Sequence, residues 1–262
     1  MTAATESLVI RARDARGVVT LTLNRPQALN ALSAGMLEAL QSELDALARD
    51  NTARVLVLAA AGKAFCAGHY LNEMRAQPSL SYYQGLFAQC SRMMLSLKRL
   101  SVPVIARVQG IATAAGCQLV AQCDLAVASS EARFAVSGVN LGLFCSTPGV
   151  PLSRNVARKQ AFEMLVTGEF IDAEQARVRG LVNRVAEPVA LDAEIEKLVS
   201  SILAKPRVAV ALGKELFYRQ VELGIEAAYE AAGETMACNM MEPAALEGVQ
   251  AFIDKRAPRW DS

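Results

Sequence analysis

The chain has 262 residues, 53% of them hydrophobic and 20% charged, so it can bury a large core in one domain or in a domain with an appendage. Its 27 basic and 26 acidic residues leave a net charge of +1, which gives no reason to expect nucleic acid or an anionic membrane as a partner. No run of about eighteen apolar residues occurs, so we expect no membrane-spanning helix. Residues 1–6 lack the apolar core of a signal peptide, which predicts a cytoplasmic protein.

The cysteines and the histidine argue against a disulfide framework and a metal site. No Cys-x-x-Cys pair occurs, and the cysteines lie in apolar or small-residue surroundings, so we expect reduced and mostly buried thiols. They are Cys66, Cys90, Cys117, Cys123, Cys145 and Cys238. With a single histidine, His69, we predict no metal.

The first part of the chain alternates between strand and helix patterns. Residues 18–23 alternate and are β-branched, which predicts a strand. The unbroken apolar run 55–61 predicts a strand buried in a parallel sheet, and the small residues of 63–71 predict a tight turn that opens a helix. Between these strands Ser33 is placed to cap a helix whose apolar side chains recur at helical spacing: Met36, Leu37, Leu40, Leu44 and Leu47.

The same order of elements repeats further along the chain. We predict a helix, a strand, a second small-residue turn that opens a helix, and a strand, over residues 82–100, 102–106, 110–119 and 125–128. This order predicts an α/β architecture with right-handed crossovers. Beyond Pro206 the pattern is helical to the end, with a break at Glu242-Pro243.

The two small-residue turns are the strongest candidates for a functional site. Each follows a strand and opens a helix, so each presents unpaired backbone N–H groups, which suit an oxygen that becomes negative during a reaction. The residues equally allow a structural interpretation, in which both turns are tight connections whose residues are small only because the packing leaves no room for larger ones. His69 lies in the first turn, and the sequence identifies no partners for it in a Ser-His-Asp arrangement, so a structural role stays open.

Motifs along nearly the whole chain resemble the crotonase, or enoyl-CoA hydratase/isomerase, family. They are Asn24 to Leu32, Ala64 to Leu71, Gly110 to Leu119, Cys123-Asp124, 166–168, 180–182 and 251–256. The resemblance implies a spiral of β-β-α units over residues 1–200. It also implies a C-terminal helical region, 201–262, that assembles trimers, often paired into hexamers.

The resemblance also implies a ligand and a site. The ligand is an acyl-CoA thioester, with coenzyme A as part of the substrate and no separate cofactor. An oxyanion hole made by the backbone N–H groups of His69 and Ala115 holds the thioester oxygen. Family members often have a lysine where Asn72 stands, so one contact is expected to be missing. The implied substrate-binding residues are Ala28, Ala67, Gly68, His69, Tyr70, Leu71, Asn72, Ala115, Phe252 and Lys255.

The chain departs from the family at the acidic positions. Hydratases use two glutamates to hold water and transfer its proton, and here these positions are Gln118 and Gly138. A third acidic position, used by dienoyl-CoA isomerases and 4-chlorobenzoyl-CoA dehalogenases, matches Ser146. We therefore predict weak or absent hydratase activity. The resemblance still assigns the catalytic positions to four residues: His69, Ala115, Gln118 and Gly138.

Two sub-patterns leave the reaction open. Gly68-His69 with 139–142 is similar to the methylmalonyl-CoA decarboxylases, which form an enolate without a general base, but those have tyrosine where Cys145 stands. Residues 138–149 with 112–119 are more similar to the branch called enoyl-CoA hydratase domain-containing protein 3. The remaining alternative is a non-catalytic acyl-CoA binder. Polar candidates beside the thioester are His69, Gln118, Ser137, Cys145 and Ser146, and packing roles stay open for each.

Overall fold

The computed structural model describes residues 7–260, so the N-terminal stretch used to predict the location lies outside the described residues. The strands are β1 Val9–Arg13, β2 Val18–Leu23, β3 Val55–Ala60, β4 Ala64–Cys66, β5 Val104–Val108, β6 Ile111–Thr113, β7 Leu125–Ser129, β8 Arg133–Ala135, β9 Ile171–Asp172 and β10 Arg184–Ala186. The α-helices are α1 Ala34–Ala48, α2 Leu71–Ala76, α3 Leu80–Arg99, α4 Ala115–Gln122, α5 Ser146–Asn155, α6 Arg158–Thr167, α7 Ala173–Val178, α8 Leu191–Leu203, α9 Arg207–Gln220, α10 Ile225–Met240 and α11 Pro243–Ile253. Short 3-10 helices cover Pro26–Ala28, Ser137–Leu141 and Pro188–Ala190.

The larger sheet has the strand order β1-β2-β3-β5-β7-β10, and all neighbours except β1 and β2 are parallel. Every residue of β3 is buried, as its unbroken apolar run predicts. Leu56 and Leu58 point into the main core, whereas Val55 and Val57 belong to a second cluster beneath α8. Both faces of this strand are covered, which explains why its sequence shows no polar alternation.

The predicted small-residue turns each contain a short strand that the sequence patterns alone did not reveal. The strands β4, β6, β8 and β9 form a second sheet in that order, with the first three parallel. Each turn is therefore a second strand of a β-β-α unit, in which β3-β4, β5-β6 and β7-β8 precede helices. Because β4 and β6 are neighbours, the segments that follow them lie side by side.

The predicted helices are confirmed, together with their inward faces. The Ser33 side chain accepts a hydrogen bond from the Met36 N–H at 3.1 Å, and the five apolar residues predicted for α1 are buried. On α3, Met93 and Met94 are buried core residues. All six cysteines are free, and five of them are buried.

The C-terminal part is helical, and α10 and α11 are separated at Glu242-Pro243 as predicted. The predicted boundary at residue 200 falls inside α8, so the division into core and assembly region stays a prediction. Helices α9 to α11 expose many large apolar side chains, among them Tyr229 at 75% and Phe252 at 85%. No helix within residues 7–260 is both long and apolar enough to cross a bilayer.

A buried ion pair attaches α9 to the core. Lys214 Nζ lies 2.6 Å from Asp124 Oδ2, and the two side chains are 7% and 13% exposed. Tyr218 donates to Asp124 Oδ1 at 2.7 Å, and the Val104 N–H donates to Oδ2 at 2.6 Å. Lys214 also donates to the carbonyls of Leu97 and Val102, so the charges are paired and further hydrogen-bonded. Asp124 therefore has a structural role.

Lys214→Met is expected to lower the free energy of unfolding by about 3–5 kcal/mol, because it leaves the Asp124 carboxylate buried without its cation. Chemical denaturation followed by circular dichroism measures the loss. Glu163→Gln is the matched control, because it breaks the exposed Arg179–Glu163 pair of 2.9 Å. It is expected to cost less than about 1 kcal/mol. Equal losses in the two variants would contradict the anchoring role.

Candidate functional site

The first turn is held by one parallel bridge between Leu32 and His69. The Leu32 N–H donates to the Gly68 carbonyl at 2.7 Å, and the Tyr70 N–H donates to the Leu32 carbonyl at 3.2 Å. In such pairing the N–H of the intervening residue, His69, faces away from the partner strand. Among the described residues it has no acceptor, so it is an available donor.

The second turn makes a comparable donor at the start of α4. The Ala114 N–H donates to the Ala135 carbonyl at 2.9 Å, which fixes the segment against β8. Ala114 then adopts φ 50° and ψ −120°, a conformation that costs a non-glycine residue about 1–3 kcal/mol. Ala115 is the first residue of α4, and its N–H finds no acceptor within residues 7–260.

Gly68 shows that the two turns are in contact. A β-carbon placed on Gly68 would lie 2.9 Å from the Ala114 Cβ and 3.3 Å from the Ala115 nitrogen, and Gly68 has φ +90°. Only glycine allows this approach, so packing does demand a small residue here. The same approach places the segments that carry the His69 and Ala115 N–H groups side by side. The packing interpretation therefore holds for this turn, and the donor interpretation stays a prediction.

A cavity of about 280 Å³ opens beside these donors. Of the sequence-predicted site residues its lining includes Ala67, His69, Leu71, Ala115 and Gly138. It also includes Ser137, Cys145 and Ser146 from the polar candidates. The predicted residues that are not part of this lining are Ala28, Gly68, Tyr70, Asn72, Gln118, Phe252 and Lys255.

The apolar wall of the cavity was not identified from the sequence. Met74 and Phe87 come from α2 and α3, whereas Leu141, Leu143 and Phe144 come from the segment before α5. Helical spacing marks Leu86 as inward, but it gives no signal that Phe87 faces a ligand cavity. Leu141 has 67% of its surface exposed, and this exposure is visible only in the structure and not in the sequence.

Gly138 is a glycine for steric reasons. A β-carbon there would lie 2.4 Å from the Leu143 carbonyl oxygen and 2.7 Å from Cys145 Sγ. The Gly138 N–H donates to Cys145 Sγ at 3.3 Å, and the Leu143 N–H donates to the Gly138 carbonyl at 3.0 Å. The loop is closed tightly around this residue, so a glutamate does not fit there without backbone movement.

Gln118 is buried in α4 with 4% exposure, and its Oε1 has no hydrogen-bond partner among the described residues. It lies one helical turn beyond Ala114, whose carbonyl accepts from the Gln118 N–H at 3.0 Å. Its side chain is absent from the cavity lining, so its predicted catalytic position stays a prediction.

The His69 ring occupies an apolar environment. It packs edge-on against Phe87, with ring centroids 5.4 Å apart and planes at 67°. Both ring nitrogens are buried, and neither makes a hydrogen bond within the part of the chain that the structure describes. Burial lowers the pKa of His69, against smaller opposing effects from the Leu32 backbone and the Glu73 carboxylate. The imidazole is therefore neutral at pH 7.

The remaining predicted binding residues lie outside this cavity. Arg25 stacks over the Tyr70 ring at 4.3 Å, and Asn72 Nδ2 lies 3.4 Å from the Tyr70 hydroxyl. Ala28 ends the 3-10 helix Pro26–Ala28. Phe252 lies in the last turn of α11, and Lys255 lies two residues beyond the end of this helix. Residues 7–260 contain no cluster of three or more side chains suited to a metal ion.

Comparisons with known proteins agree with this architecture. The enoyl-CoA hydratase/isomerase family model matches residues 13–262. Enoyl-CoA hydratase domain-containing protein 3 of Xenopus laevis is 46% identical over 244 residues, covering 93% of this chain and 83% of that protein. A solved enoyl-CoA hydratase from Mycobacterium smegmatis is 68% identical with a TM-score of 0.97, covering 98% and 100% of the two chains. The human domain-containing protein 3 structure is 42% identical with a TM-score of 0.92, covering 97% and 100%.

These comparisons confirm the resemblance, including the domain-containing protein 3 branch, and the α/β fold of crotonase type. The prediction of a cytoplasmic location is wrong, because the relatives from Xenopus laevis, Homo sapiens and Rattus norvegicus are named as mitochondrial. That prediction relied on the polarity of residues 1–6, and a polar start carries no information on which compartment a folded core works in.

The lowered pKa of His69 predicts a pH-dependent stability. Below about pH 6.5 the unfolded chain binds a proton on the imidazole more readily than the folded chain does, so stability falls as pH falls. His69 is the single histidine, so His69→Phe removes this titration while keeping a buried ring. Thermal unfolding between about pH 8 and pH 5 should show a smaller loss in the variant. Parallel curves would refute the assignment.

Gly138→Ala is expected to lower the free energy of unfolding by about 1–3 kcal/mol, because the Leu143 carbonyl must move. Gly149→Ala on α5 is the matched control, since its β-carbon would meet only the Leu165 side chain, with Cδ1 at 3.4 Å and Cδ2 at 3.6 Å. Alanine is better than glycine in a helix by about 0.5–1 kcal/mol, so the control should be neutral or stabilised. Denaturant titration compares the two, and an unaffected Gly138→Ala would contradict the steric argument.

Proposed function

The chain belongs to the enoyl-CoA hydratase/isomerase family, and from this premise we propose that it binds an acyl-CoA thioester with the acyl group in the cavity beside His69. The observation that carries the proposal is the pair of free N–H groups on His69 and Ala115, brought together by the close approach of Gly68. The thioester oxygen accepts from both.

This arrangement favours reactions that put negative charge on the thioester oxygen. Donors that are fixed before the reaction need no reorganisation when an enolate forms, and loss of one such donor typically costs about 3 kcal/mol of transition-state stabilisation. The bridge to Leu32 and the start of α4 hold the two donors on rigid elements. Substrate is thus polarised by the main chain, whatever side chain stands at residue 69.

Hydration of an enoyl thioester is a poor fit for this site. It needs groups that hold a water molecule and move its proton. None of the cavity-lining residues is an aspartate or a glutamate within the described chain. Gln118 cannot act as a base near neutral pH, and Gly138 cannot be replaced by an acid without steric conflict. We therefore propose that hydratase activity is weak.

A decarboxylase-like reaction gains no support from the cavity. An acyl group that carries a carboxylate would bury a charge, which needs a cationic partner. The lining residues within 7–260 include no lysine or arginine, and the His69 imidazole is kept neutral by burial. The acyl group that suits these walls is uncharged.

We further propose that α9 to α11 form the contact between copies of the chain in a trimer or a hexamer. Their exposed apolar side chains, including Phe217, Tyr229 and Met241, are what such a contact would cover. Phe252 and Lys255 at the end of α11 could then reach coenzyme A. Sedimentation of the purified protein tests the assembly, and a monomer at micromolar concentration would refute it.

Binding and turnover are measured separately on the purified protein. Calorimetry should show saturable binding of crotonyl-CoA, because the cavity accepts a short uncharged acyl group. Hydration of crotonyl-CoA should be at least about a hundredfold slower than by a hydratase with both glutamates, since each proton-transfer group contributes about 10²–10⁴-fold. Hydration at a rate comparable to that enzyme would refute the weak-hydratase proposal.

The control ligand is coenzyme A without an acyl group. If crotonyl-CoA does not bind, the thioester proposal itself fails. If it binds and no tested thioester is turned over, the chain is a non-catalytic acyl-CoA binder, the alternative that the missing acids keep open.

A further inference from the structure

One segment of the cavity wall is apolar, exposed and free of charge. Residues 137–153 contain no charged side chain, although charged residues make up 20% of the chain. Within this segment Leu141, Leu143 and Phe144 line the cavity and are 67%, 50% and 46% exposed. We call these three side chains the apolar rim. Large apolar side chains that meet water together are typical of a surface that another apolar group covers.

The backbone holds the apolar rim in a fixed shape. The Leu143 N–H donates to the Gly138 carbonyl at 3.0 Å, and the Gly142 N–H donates to the Val139 carbonyl at 3.0 Å. Gly142 has φ +76°, which a glycine adopts without strain. The segment is therefore ordered before a ligand arrives, and a ligand that covers the rim does not have to order its backbone.

The apolar rim continues the cavity outward. Cys145 and Pro148 of the same wall are buried, so the cavity is closed beside them and open along the rim. Its volume of about 280 Å³ is small. Pockets that enclose a whole drug-sized ligand measure about 300–1,000 Å³. A short acyl group fits inside, whereas a longer chain must extend out of the cavity, where the rim is the next apolar surface.

The apolar rim lies on a different chain segment from the residues proposed to follow coenzyme A. Tyr70 and Asn72 lie outside the cavity lining, and Arg25 stacks over the Tyr70 ring at 4.3 Å. The phosphates of coenzyme A need cations such as this arginine, and no charged residue occurs within 137–153. The rim therefore suits the hydrocarbon part of an acyl-CoA and not its phosphates.

We propose that the apolar rim makes this site select medium- to long-chain acyl-CoA thioesters, by covering the distal part of an uncharged acyl chain. The inference rests on the proposed acyl-CoA site and specifies its substrate class. A short acyl group ends inside the cavity and leaves the rim in water. Each further methylene that the rim fully covers increases the affinity about fourfold. Leu141, Leu143 and Phe144 are specificity residues and take no part in the chemical step.

Calorimetry with two thioesters of different length measures the selectivity of the wild-type protein. Octanoyl-CoA has four more methylenes than butyryl-CoA and the same coenzyme A. We expect its Kd to be at least about tenfold lower, which corresponds to partial coverage of the added methylenes. Equal Kd values, or tighter binding of butyryl-CoA, overturn the proposal.

A double variant, Leu141→Ser with Leu143→Ser, tests the rim itself. Both side chains are at least half exposed, so the fold should be retained, which circular dichroism checks. The Kd of octanoyl-CoA should rise at least about fivefold, and that of butyryl-CoA should change less than about twofold. Val189→Ser is the matched control, because this side chain is 97% exposed outside the cavity lining. It should leave both Kd values unchanged. Equal weakening of both thioesters in the double variant overturns the acyl-chain role.

Sedimentation of the double variant separates the acyl chain from a second copy of the chain as the group that covers the rim. We expect the same oligomeric state as in the wild-type protein. A changed oligomeric state with an unchanged preference for octanoyl-CoA overturns the proposal. If neither thioester binds the wild-type protein, the acyl-CoA site itself fails. Equal binding of the two thioesters, by contrast, leaves that site standing and removes only the chain-length preference.

Discussion

The site depends on the absence of a side chain at Gly68. The neighbouring strands β4 and β6 place two chain segments side by side, and Gly68 lets them approach until a β-carbon would meet Ala114 at 2.9 Å. Ala114 in turn adopts a backbone conformation that disfavours a β-carbon. A larger residue at Gly68 would separate the His69 and Ala115 N–H groups, and the proposed oxygen-binding site would lose its geometry.

Hydrophobic periodicity was sufficient to predict the long helices and strands of this fold and insufficient to predict the short strands. Helix α1 has five buried apolar residues at helical spacing, and β3 is an unbroken apolar run, so both are recognisable from the sequence. Strands β4 and β6 have three residues each, too few for alternation to be distinguished from a small-residue turn. The resemblance to a known family supplied the β-β-α repeat that the residues alone did not.

The two free N–H groups were predictable from the sequence, whereas the residues of the cavity wall were not. A small-residue turn before a helix predicts free N–H groups, because the first N–H groups of a helix have no acceptor within it. The wall combines Phe87 of α3 with Leu141 and Phe144 from a segment far along the chain, and only tertiary packing brings these together. Gly138 illustrates the same limit. The sequence shows that an acid is missing at this position. Only the structure shows that Leu143 and Cys145 enclose it so closely that an acidic side chain does not fit.

The main chain and the side chain of His69 respond to different substitutions. Its N–H is part of the main chain, so an alanine there would offer the same donor without burying two unpartnered nitrogens. Each unsatisfied buried group costs about 1–3 kcal/mol of stability, and the proposed oxyanion hole uses only the main chain of this residue. Phe87 packs edge-on against the ring, and burial keeps the imidazole neutral. None of the described residues that line the cavity carries a carboxylate, so the proposed acyl-CoA site rests on main-chain N–H groups and not on this side chain.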